Sequence, residues 1–552
     1  MSKIKKVLAM LLALAMVLGT TLTTFADTTE KKTPTSADEA IATVTNVKAE
    51  GVTVTAYKIV GADYNAQGFS GYIWEQAVAD KLGKKIEKGV FGTDNKLDLS
   101  DTEIVTLATD VKALFPDGGT EMKPASEAGS YAATLKAGTY MVLVTGSNTT
   151  VYNPMLVSVG YNVKGTGDDN TLVDGTVDAT MDWKLESLNA YAKSSEPGVD
   201  KTIVKPGLGG NDHGDDVSFN TEVEFKIATE FPSYSKQYTN PQFVVTDRLS
   251  KGLTFNEGSI KVTDATGKDI NAENYDISPI TADIEGDGTV MTVTFKPNFV
   301  AENQNLKIVI TYKATLNEDA GLNFDANTNK VKVEYSNDPT DNTKLTKKED
   351  KTYHYTFGID ALLNGSESEK TQELYKVDEN GNVEVVNGET VTVKSPLEGA
   401  KFELRAGDEN GAVVGTATSQ NDGSLTFTGL DAGTYSLVEV EAPEGYSLDK
   451  TPHTVVISAV YYTEGELKGR LQSYTIKIDD KATSTYTATY KGPETIDKID
   501  KTSLGSTAIK NTKIGTLPST GGIGTTIFTI GGCLIMIVAA GLFFASRRKS
   551  AK

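Results

Sequence analysis

Three polar residues sit at strand positions where apolar side chains belong, and together they define the chemistry this chain could perform. Lys201 is in phase with Val199 and Ile203, Asp247 with Phe243, Val245 and Leu249, and Asn337 with Val331, Val333 and Tyr335. Side chains two apart on a strand share a face, so an amine, an acid and a carboxamide are expected to point into one apolar core. Each alone has a plain explanation as a strand end, a bulge or a solvent-facing residue. Their complementary types favour the joint reading. Burial disfavours charge, lowering a lysine's pKa and raising an aspartate's. A neutral amine is a nucleophile, and a protonated carboxyl can polarise a carboxamide. Attack of Lys201 on Asn337 Cγ, with Asp247 shuttling the proton and ammonia leaving, would weld two strands by an isopeptide bond. The reaction would occur once per molecule, driven by contact within the fold.

The elements that must position these groups are mostly strands. Residues 27–195 alternate as strands at 52–57 and 138–144. Between them Ser100-Asp101-Thr102-Glu103 reads as a helix capping box. Ile104, Leu107, Ala108, Val111 and Leu114 form one face of that helix, and Pro116 ends it. A second helix is expected over 72–82. Residues 197–345 alternate cleanly: Val217, Phe219, Val223, Phe225 and Ile227 share one parity, with further strands at 291–295, 306–312 and 331–335. Residues 346–513 carry strands at 353–359, 401–404, 424–428, 434–440, 453–457 and 474–478, with a long polar loop expected over 364–396. Short strands separated by turn residues indicate tandem immunoglobulin-like β-sandwich domains, the first with helical insertions.

Composition narrows the function. The formal charge of −20 argues against nucleic acid or an anionic membrane surface as partner. The single cysteine, Cys533, lies in an apolar C-terminal run, so no disulfide framework or thiolate metal site is expected. The three histidines (His213, His354 and His453) are far apart in sequence, which gives a His-based catalytic or zinc cluster little support. No cofactor is expected. No nucleophile elbow, metal-ligand spacing or phosphate loop supports a hydrolase.

Both ends carry processing signals. Lys3, Lys5 and Lys6 precede an apolar core over 7–18, with Thr24-Phe25-Ala26 offering small residues for cleavage, as in a secretory signal peptide over 1–26. At the other end, Leu517-Pro518-Ser519-Thr520-Gly521 is followed by an uncharged apolar stretch over 527–545 and by Arg547, Arg548, Lys549 and Lys552. The stretch is long enough to cross a membrane, and its basic end would stay cytoplasmic. Residues 514–552 resemble the cell-wall sorting signal of Gram-positive surface proteins. That resemblance implies that a sortase cleaves between Thr520 and Gly521 and passes the Thr520 acyl group to an amine. It also implies a secreted, wall-anchored protein whose precursor is transiently held in the membrane.

Longer segments carry a second resemblance. Asp200-Lys201-Thr202-Ile203, Thr246-Asp247-Arg248-Leu249-Ser250-Lys251-Gly252-Leu253 and Tyr335-Ser336-Asn337-Asp338-Pro339 are similar to the isopeptide-forming middle domain of Gram-positive fimbrial major subunits. Residues 346–513 resemble the collagen-adhesin B-type domain of such pilins through Pro396-Leu397-Glu398-Gly399-Ala400-Lys401-Phe402 and the run from Tyr435 to Tyr446, which looks like the pilin E-box. By that match Glu439 takes the acid role, and its parity with Tyr435 and Leu437 also points it inward. Asn511 matches the family's acceptor asparagine. The expected first-strand lysine is missing from Phe357-Gly358-Ile359-Asp360-Ala361-Leu362-Leu363; Lys376 is chosen over Lys370 as the donor.

In sortase-assembled pili a lysine near the end of the first domain attacks the acyl-sortase. Trp183, Tyr191 and Lys193 resemble that motif, while Ala192 and Ser194 depart from it and the spacing is one longer. Lys193 is therefore the expected intersubunit donor and should be exposed, unlike Lys201. The resemblance implies the shaft subunit of a covalent pilus, with sortase, identical subunits, accessory pilins and peptidoglycan as partners. The competing reading is a monomeric wall-anchored adhesin, or a minor pilin, that binds a host or matrix ligand. Lys58 is a further lysine that could serve in the first domain, without an evident acceptor.

Overall fold

The computed structural model describes residues 32–92, 96–164, 173–365, 369–386, 390–480, 482–515 and 524–549. The signal segment over 1–26 and the pentapeptide Leu517-Pro518-Ser519-Thr520-Gly521 lie outside the described residues. Two compact units emerge. One contains residues up to Gly321, Ala326–Tyr355 and Thr463–Arg470; the other contains Leu322–Asp325, Thr356–Tyr462 and the chain from Leu471 onward.

The first unit holds two β-domains. In the N-terminal one the long strand Thr53–Asn65 pairs antiparallel with Gly138–Thr145, and apolar clusters lie on both of its faces. The helix Asp101–Leu114 begins with the expected capping box, Ser100 and Glu103 satisfying each other's backbone N–H groups. The second helix is shorter than expected. Gly68–Trp74 is a strand antiparallel to the end of Thr53–Asn65, and only Gln76–Leu82 is helical. Tyr72 and Trp74 are buried there, and Phe69 packs edge-on against Tyr64 of the facing strand at 5.9 Å. Cross-strand aromatic packing prevails over the helical spacing.

The middle domain is a sandwich. One sheet runs Val199–Ile203, Glu222–Glu230, Lys307–Leu316, Leu253–Phe255; the other runs Gly214–Asp216, Leu345–Tyr355, Asn327–Ser336, Phe243–Leu249, Thr289–Phe295, Tyr275–Ile277. Phe225, Ile227, Val245, Ile310 and Val333 fill the space between them. The domain runs past the expected end at 345. Leu345–Tyr355 pairs with the whole of Asn327–Ser336 and buries Tyr353 and Tyr355, so the boundary moves to 355, and the expected strand over 353–359 is split at that point. A polar clasp joins the two domains of this unit. Lys112 pairs with Asp338 at 2.9 Å, Asn337 Nδ2 donates to Ser147 O at 2.6 Å, and Tyr238 OH donates to Tyr152 O at 3.1 Å.

The second unit pairs a seven-stranded antiparallel sheet with a three-stranded one, Thr390–Pro396, Leu374–Val386, Thr507–Asn511. The loop expected over 364–396 is therefore largely a hairpin. Leu374, Tyr375, Lys376 and Val377 are consecutive and all buried, a pattern with no period-2 alternation to reveal it. Beyond Lys513 the helix Gly524–Lys549 includes an apolar run, Ile527–Arg547, with a mean hydropathy of 2.5. Its rise of about 31 Å matches a hydrocarbon core.

Candidate cross-link sites and their relatives

In the middle domain Lys201 and Asp247 are fully buried and meet across the two sheets. Lys201 Nζ donates to Asp247 Oδ1 at 2.7 Å and to Oδ2 at 2.9 Å, and to the Tyr312 hydroxyl at 2.8 Å. The Phe225 and Tyr312 rings flank the amine, 5.4 and 5.1 Å from Nζ to their centroids. Burial drives the lysine pKa below its ordinary value, and attraction to Asp247 only partly opposes that. Loss of hydration thus outweighs the ion pair and favours the nucleophilic neutral amine.

The carboxamide in this site belongs to Asn329, not Asn337. Asn329 is fully buried, and its Nδ2 donates to the Tyr312 hydroxyl at 2.5 Å. Leu249 faces Asn329 directly across the ladder and Asp247 faces Val331, so the acid and the amide are diagonal neighbours on adjacent strands. Asn337 shares this parity but lies one residue beyond the end of Asn327–Ser336. It is eight residues further on, roughly 26 Å along an extended chain. Its amide is engaged by Ser147 and by Thr346 Oγ1 at 3.1 Å, so the expected acceptor serves the interdomain clasp instead. Asn329 shares the parity of Val331, so strand parity admits it equally, whereas the resemblance is carried by the Tyr-Ser-Asn-Asp-Pro segment and points to Asn337.

The second unit assembles Lys376, Glu439 and Asn511. Lys376 Nζ donates to Asn511 Oδ1 and lies 3.3 Å from Glu439 Oε1. Asn511 Nδ2 donates to the same Glu439 oxygen at 2.8 Å. All three side chains are buried, and Lys376 is again lowered in pKa, by burial first and against the pull of Glu439. Lys376 and Asn511 lie on adjacent parallel strands, with Asp378 opposite Asn511, while Glu439 comes from the other sheet. Gly423 holds the lysine in place: its carbonyl accepts from Lys376 N at 2.7 Å. With φ at +84° and Lys376 O only 2.6 Å from where a Cβ would stand, only glycine fits there. Lys370 is exposed. Where the family lysine was expected, Asp360 instead accepts backbone N–H bonds from Glu373, Leu374 and Leu425, pinning the start of the lysine strand.

Lys193 is exposed, as a sortase substrate requires. Its flanks are fixed: Ala192 N donates to Thr45 O at 2.9 Å, Asn46 Nδ2 to Ala192 O at 2.8 Å, and Asn153 N to Lys193 O at 3.1 Å. Lys58 pairs with Glu75 at 3.4 Å, both about one-third exposed, unlike either buried site. Among the described residues, one group has metal-ligand proximity, Asp200, His213 and Asp350. His213 bonds Asp212 at 3.1 Å and lies 3.4 Å from Asp350.

Comparisons with known proteins place these sites in context. Four family models match successive segments: a T6 antigen Ig-like domain over 37–194, a Gram-positive pilin backbone subunit 2 Cna-B-like domain over 220–339, a prealbumin-like fold domain over 390–469, and an LPXTG cell-wall anchor motif over 509–552. The trypsin-resistant surface T6 protein of Streptococcus pyogenes serotype M6 is 28% identical over 93% of this chain and 96% of its own length. The solved structure of the T6 backbone pilin of serotype M6 Streptococcus pyogenes covers 88% of this chain and all of its own, with a TM-score of 0.58 at 22% identity. That likeness bears on the fold and agrees with a modular, mostly-β chain. Pilin modules thus occupy the globular part and a wall anchor ends it: the chain is a cell wall-anchored backbone pilin of the sortase-assembled Gram-positive kind.

Proposed function

We propose that this pilus shaft subunit is covalent at two levels, within each subunit and between subunits. Within the subunit, Lys201 joins Asn329 under the influence of Asp247, and Lys376 joins Asn511 under Glu439. Between subunits, the Thr520 acyl group carried by sortase passes to Lys193 of the next copy. The observation that carries this reading is the recurrence, in two unrelated strand arrangements, of a buried lysine whose amine contacts a buried carboxylate beside a buried asparagine. Isolated buried lysines are costly and rare, and a structural ion pair would not require a carboxamide in the same place twice.

The chemistry follows from the environment. Desolvation supplies a neutral amine, and the fold supplies the effective concentration. Nζ attacks Cγ, the N–Cγ bond forms, the Cγ–Nδ2 bond breaks, and the carboxyl group carries one proton from the amine to the departing ammonia. The two bonds differ mechanically. The middle-domain bond crosses between sheets, while the second-unit bond joins two parallel strands of one sheet. Either makes part of the chain inextensible, which suits a fibre under load.

The mass of the purified chain tests this directly. Two ammonia molecules should be missing, and peptide mapping should return Lys201 joined to Asn329 and Lys376 joined to Asn511. Glu439→Gln should restore one ammonia, with the Lys376 and Asn511 peptides separating while the middle-domain link persists. Lys370→Ala should change nothing. An unmodified mass for the wild-type chain would remove the self-linking half of the proposal.

A further inference from the structure

The two sites differ in how the acid reaches the leaving group. In the second unit, one oxygen of Glu439 lies 3.3 Å from Lys376 Nζ and 2.8 Å from Asn511 Nδ2, so one carboxyl can take the proton from the nucleophile and return it to the leaving nitrogen. In the middle domain the acid is an aspartate, one methylene shorter. Its oxygens both bond Lys201 Nζ, while Asn329 Nδ2 donates to the hydroxyl of Tyr312 at 2.5 Å. That hydroxyl also accepts from Lys201 Nζ at 2.8 Å. A phenol has one proton to give and two lone pairs with which to accept. One hydroxyl thus stands within hydrogen-bond reach of both the attacking and the leaving nitrogen.

We propose that Tyr312 is a catalytic residue of the middle-domain cross-link, relaying the proton that Asp247 cannot deliver alone. This inference rests on the Lys201–Asn329 reading above. As Nζ bonds to Cγ, it passes one proton to the Tyr312 oxygen it contacts, while Asp247 holds the amine in place. Tyr312 gives its own hydroxyl proton to Asn329 Nδ2. The Cγ–Nδ2 bond breaks, and ammonia leaves. The net change is one proton moved from Nζ to Nδ2, with Tyr312 restored and Asp247 unchanged. Burial and the nearby Asp247 hold the phenol pKa far above its ordinary value, so the hydroxyl acts as a relay and does not persist as a phenolate. The ring is fixed for this task, stacked on Phe225 at 5.2 Å and tilted against Phe255 at 5.1 Å.

Tyr312→Phe keeps the ring and removes only the relay. In the full-length chain, refolded and sampled over time, loss of ammonia at Lys201–Asn329 should slow by about a hundredfold or more. The Lys376–Asn511 bond in the same molecule should form at its usual rate, an internal control for folding. Adding Asp247→Glu to Tyr312→Phe should restore much of the rate, because the longer carboxyl can span both nitrogens as Glu439 does. Wild-type speed in Tyr312→Phe overturns the relay. So does a slowing that Asp247→Glu leaves untouched, which would make the hydroxyl a packing element. If the wild-type chain itself shows no Lys201–Asn329 link, the underlying reading fails, a result distinct from either outcome in the variant.

Discussion

Asn329→Ala abolishes the middle-domain cross-link and lowers the thermal midpoint of the first unit by roughly 10–20 °C, whereas Asn337→Ala leaves the link intact. The magnitude comes from loop closure. A bond from Lys201 to Asn329 closes a loop of over a hundred residues, an effect of about 4–5 kcal/mol on the unfolded chain. Asparagine is the better residue to change. Removing Lys201 or Asp247 would leave a buried partner unpaired and cost about 3–5 kcal/mol whether or not a link had formed. Asn337→Ala gives up only the bonds to Ser147 and Thr346, about 1 kcal/mol, and should loosen the interdomain clasp. Calorimetry with peptide mapping separates the two. A full ammonia deficit and unchanged midpoint in Asn329→Ala, or loss of the link in Asn337→Ala, would restore the sequence expectation and remove the geometric one.

Lys193→Ala should eliminate the covalent high-mass ladders expected of wild-type cells and leave the subunit folded, internally linked and normally stable. Its side chain is exposed, and exposed substitutions of this kind stay within about 0.5 kcal/mol. The polymer and the fold are therefore separable. The surrounding backbone bonds to Thr45, Asn46 and Asn153 remain when the side chain is truncated, which isolates the amine as the quantity tested. Denaturing gels of wall extracts supply the readout. Ladders that persist would move the junction to another lysine. A wild-type chain that forms no ladder would favour the monomeric adhesin.

Much of the architecture follows from local pattern. The capping box at Ser100 and Glu103 forms as read, because its hydrogen bonds span only three residues. Lys201, Asp247 and Glu439 point inward as their parity predicts, because a strand's side-chain period is independent of what it pairs with. Lys376 is a different case. Its surroundings read as polar loop in the sequence, whereas the fold makes Leu374–Val386 a strand whose buried start lies beside Asn511.

Local pattern is enough to say which faces turn inward, that an apolar span follows the last strand, and that lysines, acids and amides share apolar surroundings. Which asparagine meets Lys201, the closing of the middle sandwich by Leu345–Tyr355, and the place of Tyr312 between amine and amide come from the assembled fold. Parity is a property of one strand, repeated at every second residue, so Asn329 and Asn337 are equivalent by that measure. Their distinction depends on strand register and on the crossing of one sheet over another. Those depend on contacts between residues more than a hundred positions apart, which no local spacing encodes.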